Sequence, residues 1–146
     1  MTIVQYIGSI VAQMSNHPKF LHGTKAWQNL LADEIDYTNG AVFMDDTLQA
    51  PLNIEKSGYI TETYPILIAF FKKGNIDDTP DQQQAIISAM QSLCREFITR
   101  LFNDSDNVKN FKGIKISYLI NMMDANLHGI SLNITFDYYN NASICT

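Results

Sequence analysis

Asp124 and His128 are the residues whose types and spacing come nearest to a chemical site in this 146-residue sequence. Four residues apart on a helix, a carboxylate and an imidazole would share one face and could bind a metal or act as an acid–base pair. The surrounding segment, NMMDANLHGISLNITFDYYNN, alternates apolar and polar residues on both sides, which indicates strands. In a hairpin bend the two side chains need not converge. We interpret the segment as a solvated turn at Asp124–Asn126, with Gly129 able to supply a bulge.

The other polar groups also favour a structural interpretation. Asp104-Ser-Asp106 begins like a calcium loop but lacks the third ligand, the sixth-position glycine and the closing glutamate. The sequence contains no phosphate-binding glycine run, nucleophile elbow, C-x-x-C or H-E-x-x-H motif. We therefore predict no catalytic residue, no metal site and no cofactor. A small enzyme or ligand-binding domain that uses Asp124 and His128 stays as an alternative.

Length, composition and net charge limit the classes of protein to which this sequence can belong. A length of 146 residues predicts one domain, 1–146, and a hydrophobic content of 46% is that of a globular core. The net charge of −5 disfavours a DNA-binding module, because nonspecific binding depends on Lys and Arg. The N-terminus has no basic region or cleavage site and is too short to span a bilayer, so we predict no membrane segment and a cytosolic protein. Cys94 and Cys145 form no metal or disulfide framework.

Periodicity predicts the elements that would position these groups. Apolar residues at helical spacing from Ile3 to Met14 predict an N-terminal helix that ends before Pro18. The segment from Phe20 to Asp36 is ambiguous, with strand or irregular structure favoured, and 41–44 indicates a strand. Thr79-Pro80-Asp81-Gln82 is a capping box with proline at the first helical position, and an apolar stripe follows to Phe102. A long central helix is therefore predicted.

Alternation predicts the strands. Leu48 to Ile54 alternates apolar and polar residues and forms a hairpin with a strand from Tyr59 to Lys73, whose centre is apolar on both faces and belongs in a covered strand. Two more alternating rows, Ile114–Met122 and Ile130–Tyr138, form a C-terminal hairpin. The fold class expected is α+β: a mainly antiparallel sheet with an N-terminal helix and one long central helix packed on it.

Some of this apolar surface suggests contact with another subunit. A chain of this size has few helices to cover both faces of a sheet, and aromatic residues are enriched at interfaces as well as in cores. The Asp45–Gly58 arm contains Pro51, which cannot donate to a ladder. The arm is therefore expected at a sheet edge or outside the sheet, from where it could reach a neighbour. The residues expected at an interface are Leu48, Pro51, Leu52, Ile54, Tyr59, Tyr138 and Tyr139.

The element order and three long phrases resemble small structural proteins of tailed phages and prophages. The phrases are FLHGTKAWQNLLADEIDYTNGAVFMD, YPILIAFFKKGNIDDTPDQQQAIISAMQSLCREFITRL and NMMDANLHGISLNITFDYYNN. The nearest group is the tail-terminator, or tail-completion, family at the head–tail junction. Related neck, tail-tube or secretion-like structural subunits are the alternative, with toxin–antitoxin components more distant.

The resemblance implies a virion protein of the tail or neck, assembled in the cytoplasm of a host bacterium. Members of that family form hexameric rings that cap the tail tube, which implies a homo-oligomer with tube and neck or connector proteins as partners. DNA would pass through the lumen without specific binding, and no catalytic residues are implied. A net negative lumen that repels DNA phosphates is a hypothesis motivated by the charge of −5 alone.

Overall fold

A computed structural model describes residues 2–24, 34–45, 52–54 and 59–143. These residues form two helices and six strands, which gives an α+β fold, as the sequence predicts. In chain order the elements are α1 (Ile3–Ala12), β1 (Lys19–Gly23), β2 (Ala41–Asp45), β3 (Leu52–Ile54), β4 (Tyr59–Lys73), α2 (Pro80–Asn103), β5 (Val108–Met122) and β6 (Leu127–Ser143).

The strands join in one sheet of order β1-β2-β4-β6-β5, and β3 pairs with β4 beside β2. β1 and β2 are parallel, and the other pairings are antiparallel. β1 resolves part of the ambiguous Phe20–Asp36 segment in favour of a strand, while 25–33 lies outside the described residues. The predicted strand at 41–44 and the hairpin between 52–54 and β4 are confirmed.

Both helices begin at a capping box, which the sequence predicts for α2. In α1 the Thr2 hydroxyl accepts a hydrogen bond from the Gln5 N–H, and the Gln5 side chain accepts one from the Thr2 N–H. In α2 Thr79 and Gln82 form the same reciprocal pair, with Pro80 as the first helical residue. Each box satisfies N–H groups that a helix start leaves without partners.

The two helices cover one face of the sheet, which we call the helix-side face. Along β4 the residues Ile66, Ile68 and Phe70 are buried on this face, and the Phe70 ring lies 5.7 Å from that of Phe97 in α2. A smaller cluster on the opposite, outer face includes Phe43 and Phe71, whose ring centroids are 5.6 Å apart. The predicted burial of the centre of β4 on both faces is therefore confirmed where Phe70 and Phe71 lie, but it is wrong at Leu67, which is 40% exposed on the outer face.

β5 is an edge strand that is longer and more irregular than its sequence suggests. Its register with β6 shifts three times, between Lys109 and Lys112, between Lys112 and Lys115, and between Leu119 and Met122. Each shift encloses one residue with a left-handed backbone: Asn110 (φ 58°), Gly113 (φ 65°) and Asn121 (φ 49°). The bulge expected at Gly129 is thus wrong, because the extra residues lie on β5 while Gly129 pairs with both Phe71 and Leu119.

Among the described residues, neither helix is long and apolar enough to cross a membrane.

Candidate functional site

Asp124 and His128 do not form a pair. Asp124 lies exposed in the four-residue turn between β5 and β6, whereas His128 is the second residue of β6 and is 0% exposed. The prediction of a turn is confirmed, but the interpretation of His128 as part of a solvated turn is wrong. Its side chain points to the helix-side face, towards the loop that precedes α2, and meets Asp78 there.

Both nitrogens of the His128 ring are engaged. Nδ1 accepts a hydrogen bond from the Asn121 N–H at 3.1 Å, so Nε2 carries the ring proton and donates to Oδ2 of Asp78 at 3.0 Å. The Asn75 N–H, which donates to the same oxygen, and the His128 hydrogen bond lower the pKa of Asp78 from its ordinary value. In this arrangement the ring offers no lone pair to a substrate. The pair joins the loop before α2 to the β5–β6 hairpin.

Gly74 provides the space for this pair. A Cβ at position 74 would lie 2.2 Å from Cδ2 of His128 and 2.6 Å from the Asp78 carboxylate. The Gly74 N–H also donates to the Asn126 carbonyl at 3.1 Å. The segment 74–78 is therefore joined to the turn at 123–126 by a backbone hydrogen bond and to His128 of β6 by a side-chain hydrogen bond.

The segment from Asp104 to Asp106, which begins like a calcium loop, also makes structural contacts. Asp104 accepts a 2.5 Å hydrogen bond from the Tyr6 hydroxyl and two more, at 3.0 and 3.1 Å, from the Asn107 amide. Burial, and then the Asp104 carboxylate, raise the pKa of Tyr6. In the part of the chain that the structure describes, no group of three or more His, Cys, Asp or Glu residues is arranged to bind a metal ion.

The free thiol of Cys94 is buried in α2, and that burial raises its pKa to about 12. A thiol in this state is a poor nucleophile, because the thiolate is the reactive form. Cys145 lies outside the described residues.

Among the described residues, four exposed apolar side chains form a row on β5, Ile114, Ile116, Tyr118 and Ile120, which we call the β5 row. These side chains are between 42% and 56% exposed. Ile116 pairs with Leu132 and Tyr118 with Ile130, so the row lies on the helix-side face, beside α2. Gln91 of α2 donates to the Tyr118 hydroxyl at 3.0 Å. The helix therefore reaches the row without covering it.

A second apolar surface lies on β3, where Leu52 is 58% exposed and Ile54 is 59% exposed. We call these two residues the β3 patch. Leu52 pairs with Glu62, which in turn pairs with the core residue Tyr138, so the patch also faces the helix side. β3 and β5 lie on opposite sides of the central β4–β6 pair. The two apolar surfaces thus occupy different edges of one sheet.

The residues that the sequence suggested for an interface differ in how exposed they are in the structure. Leu52 and Ile54 are exposed as expected, Leu48 and Pro51 lie outside the described residues, and Tyr59 pairs through its backbone with Ser143.

Of the two remaining tyrosines, Tyr138 differs from that expectation, whereas for Tyr139 it stays a prediction. The Tyr138 ring is 5% exposed because it packs 4.9 Å from the Tyr6 ring in the core, so it is not accessible to a neighbour. Tyr139 is half-buried, with the Lys109 ammonium 5.1 Å from its ring. The β5 row was not among these named residues, although the sequence pattern indicates that the alternating row Ile114–Met122 needs cover, in part from a neighbouring subunit.

No protein-family model matches the chain. A search of curated proteins likewise finds no significant match.

Proposed function

We propose that this protein is a ring-forming structural subunit at the tail or neck of a tailed phage or prophage, a tail terminator in the form that its sequence resembles. Copies join head to tail, so that the β5 row of one copy packs against the β3 patch of the next. The observation that carries the proposal is the pair of exposed apolar surfaces at different edges of the sheet.

A head-to-tail ring requires two different complementary surfaces on each subunit, whereas a two-fold dimer requires one surface that matches itself. The β5 row and the β3 patch support the first arrangement, since they are two different apolar surfaces that share the helix-side face and lie on opposite sides of β4–β6. Full burial of an Ile side chain contributes about 1.5–3 kcal/mol, so the half-exposed members of the row each retain roughly 1 kcal/mol to be gained on assembly.

The contact would be made by side chains and not by adding a strand to β5. The three bulges interrupt the backbone ladder of this edge, and Lys109, Lys112 and Lys115 add exposed charge along it. Bulges and lysines are devices by which proteins prevent unwanted strand pairing. The apolar row beside them is what a neighbouring copy can still bury.

A charge placed in the β5 row tests the interface. Light scattering after size exclusion should show wild-type protein as an oligomer of defined mass and Ile116→Asp as a monomer. Ser117→Asp is the matched control, because Ser117 is the next residue, is exposed, and pairs with Ser131 on the outer face. A wild-type protein that stays monomeric at high concentration, or a Ser117→Asp variant that dissociates equally, counts against the proposal.

A mixing experiment tests the head-to-tail arrangement. Ile116→Asp places a charge in the β5 row, and Ile54→Asp places one in the β3 patch. Each variant alone should therefore be monomeric. Mixed together, they retain one intact pair of surfaces and should form a heterodimer that grows no further. If the β5 rows bind each other across a two-fold axis, Ile54→Asp alone will still dimerise, which would exclude the ring.

The position in the virion needs a separate test. A tail terminator should bind one end of isolated tail tubes, seen by negative-stain electron microscopy, and Ile116→Asp should do so poorly if ring formation is required. Binding along the tube or to neck complexes instead would favour the related tube or neck subunit.

A further inference from the structure

The lysines of β5 form a row on the outer face of the sheet. Lys109, Lys112 and Lys115 are spaced by three, and on a regular strand such a spacing would send successive side chains to opposite faces. Their partners on β6 are Asp137, Thr135 and Asn133, which are spaced by two and share one face. The three lysines therefore share that face.

The bulges produce this alignment. One extra residue between each pair of lysines restores the face that an odd spacing would otherwise change. Asn110 and Gly113 supply the left-handed backbone that these two bulges contain. Because the partners on β6 are separated by four residue steps, from Asn133 to Asp137, the row is about 14 Å long with about 7 Å between successive lysines.

The row makes one face positive in a chain whose net charge is −5. Among the described residues on the outer face of β4, β6 and β5, Lys73 joins the three lysines and Asp137 is the one carboxylate. A second carboxylate, Asp45 at the end of β2, lines a cleft on this face with Gly113 and Asn133, so positive charges still outnumber negative ones. Register assigns Lys73 to this face, because it pairs with Leu127 of the outer cluster. The Asp137 oxygens accept hydrogen bonds from Thr63 at 2.6 Å and Asn110 at 2.8 Å. Protection of the edge against strand pairing would not require all three lysines to share a face.

From this alignment we infer that the outer face of β5 and β6 binds the phosphate backbone of double-stranded DNA. The inference rests on the proposed function for the identity of the polyanion, since a ring at the tail encloses the genome. A regular row of ammonium groups matches a backbone that carries one charge per nucleotide at regular intervals. Exposed Asn133 and half-buried Thr135 lie beside the row, and such side chains also bond phosphate oxygens. This assignment replaces the expectation of a repelling, negative lumen.

Binding of this kind is independent of sequence and weak at physiological salt, because each lysine acts by releasing a counterion from the DNA. The plot of log affinity against log salt concentration has a slope of about −0.9 for each phosphate neutralised. For the three lysines of one engaged subunit, a fourfold rise in salt should weaken binding about 40-fold.

The test measures fluorescence anisotropy of a labelled DNA duplex with the full chain at several salt concentrations. Lys112→Ser/Lys115→Ser keeps one of the three lysines, so its salt slope should fall to about one third of the wild-type value. Lys19→Ser/Arg95→Ser is the matched control: it removes the same charge from two exposed residues, one on β1 at the opposite edge and one on α2. The control should bind DNA with the wild-type slope.

Three outcomes would overturn the inference: no binding of duplex by wild-type protein at low salt, equal losses in the two double variants, or binding of poly-glutamate at least as tight as that of DNA. The last would mark the row as a surface for an acidic protein. Light scattering on the same samples keeps the two proposals separate. A ring that ignores DNA removes this inference alone, and a monomer that binds DNA through the row removes the ring alone.

Discussion

Nε2 of His128 lies 3.0 Å from the carboxylate of Asp78, fifty residues earlier in the chain. The histidine is 0% exposed and the Asp78 side chain is 10% exposed, so the contact is nearly dry. With Nδ1 bonded to the Asn121 N–H, the ring connects three segments: the loop before α2, the end of β5 and the start of β6. His128 resembles a catalytic residue in the sequence, but in the structure it joins the β5–β6 hairpin to the loop before α2.

We expect His128→Ala to lower the free energy of unfolding by about 2–4 kcal/mol. The substitution leaves a cavity, removes one hydrogen-bond donor to Asp78 and removes the acceptor of the Asn121 N–H. Urea denaturation measures the loss. His22→Ala is the control, since His22 is exposed on β1 and its replacement should cost less than about 0.5 kcal/mol. Equal effects of the two substitutions would refute the structural role assigned to His128.

Gly129 and Gly113 should respond differently to alanine. A Cβ on Gly129 would lie 1.8 Å from the Phe70 carbonyl oxygen, a backbone atom that cannot move aside, so Gly129→Ala should cost 3 kcal/mol or more, an approximate value for severe core strain, or prevent folding. A Cβ on Gly113 meets nothing within 4 Å, but the φ of 65° is unfavourable for alanine. Gly113→Ala should cost about 1 kcal/mol. Thermal melts of both variants test the order, and a Gly129→Ala protein as stable as Gly113→Ala would contradict it.

Local signals allowed much of the fold to be predicted. The capping box at Thr79 and Gln82 and the proline between them place the start of α2 by short-range chemistry, and the structure begins the helix at Pro80. The alternation from Ile130 to Tyr138 likewise places β6, since a two-residue period depends only on which side faces the core. These features depend on neighbours in the chain, which a sequence displays directly.

The remaining features depend on partners far away in the chain. Burial of His128 depends on Asp78, and that of Tyr138 on Tyr6, and nothing in the local pattern shows either contact. The bulges of β5 are also hidden, because a strand with odd lysine spacing looks irregular until its register with β6 is known. For the same reason the candidate surfaces were predicted only in part: the residues of the β3 patch were named, whereas the β5 row was predicted only as an apolar row that needs cover.

Glu96 gives the fold a defined acid sensitivity. Its Oε1 accepts hydrogen bonds from the Ser15 N–H at 2.8 Å and the Ser15 hydroxyl at 2.9 Å, and Arg100 lies 3.2 Å away. The Ser15 N–H, followed by its hydroxyl and Arg100, lowers the pKa of Glu96 below its ordinary 4.5. The folded state therefore gains stability from the ionised form above that pH, and loses it as the pH falls from 4.5 through the lowered pKa.

We expect Glu96→Gln to be less stable than wild type at neutral pH, with the difference shrinking below pH 4.5. Urea denaturation at a series of pH values measures it. Glu34→Gln is the matched control, because it removes the same charge from an exposed glutamate outside this contact. A difference between Glu96→Gln and wild type that stays constant down to strongly acidic pH would show that the carboxylate charge is not what joins α1 to α2.

The Tyr6 hydroxyl offers the last test, because it joins α1 to the end of α2 through Asp104 at 2.5 Å. Tyr6→Phe keeps the ring contact with Tyr138 but removes a donor to a carboxylate, so it should cost about 1.5–3 kcal/mol. Tyr118→Phe is the control, since the exposed Tyr118 hydroxyl accepts a bond from Gln91, and its removal should change the free energy of unfolding by less than about 0.5 kcal/mol.

The same hydrogen bond should depend on pH. Burial and Asp104 raise the pKa of Tyr6 above its ordinary 10.0, so the contribution of the protonated phenol is complete below pH 10 and is lost as the pH rises beyond it. The difference between wild type and Tyr6→Phe should therefore narrow in alkaline urea titrations, and a difference independent of pH would contradict the bond to Asp104.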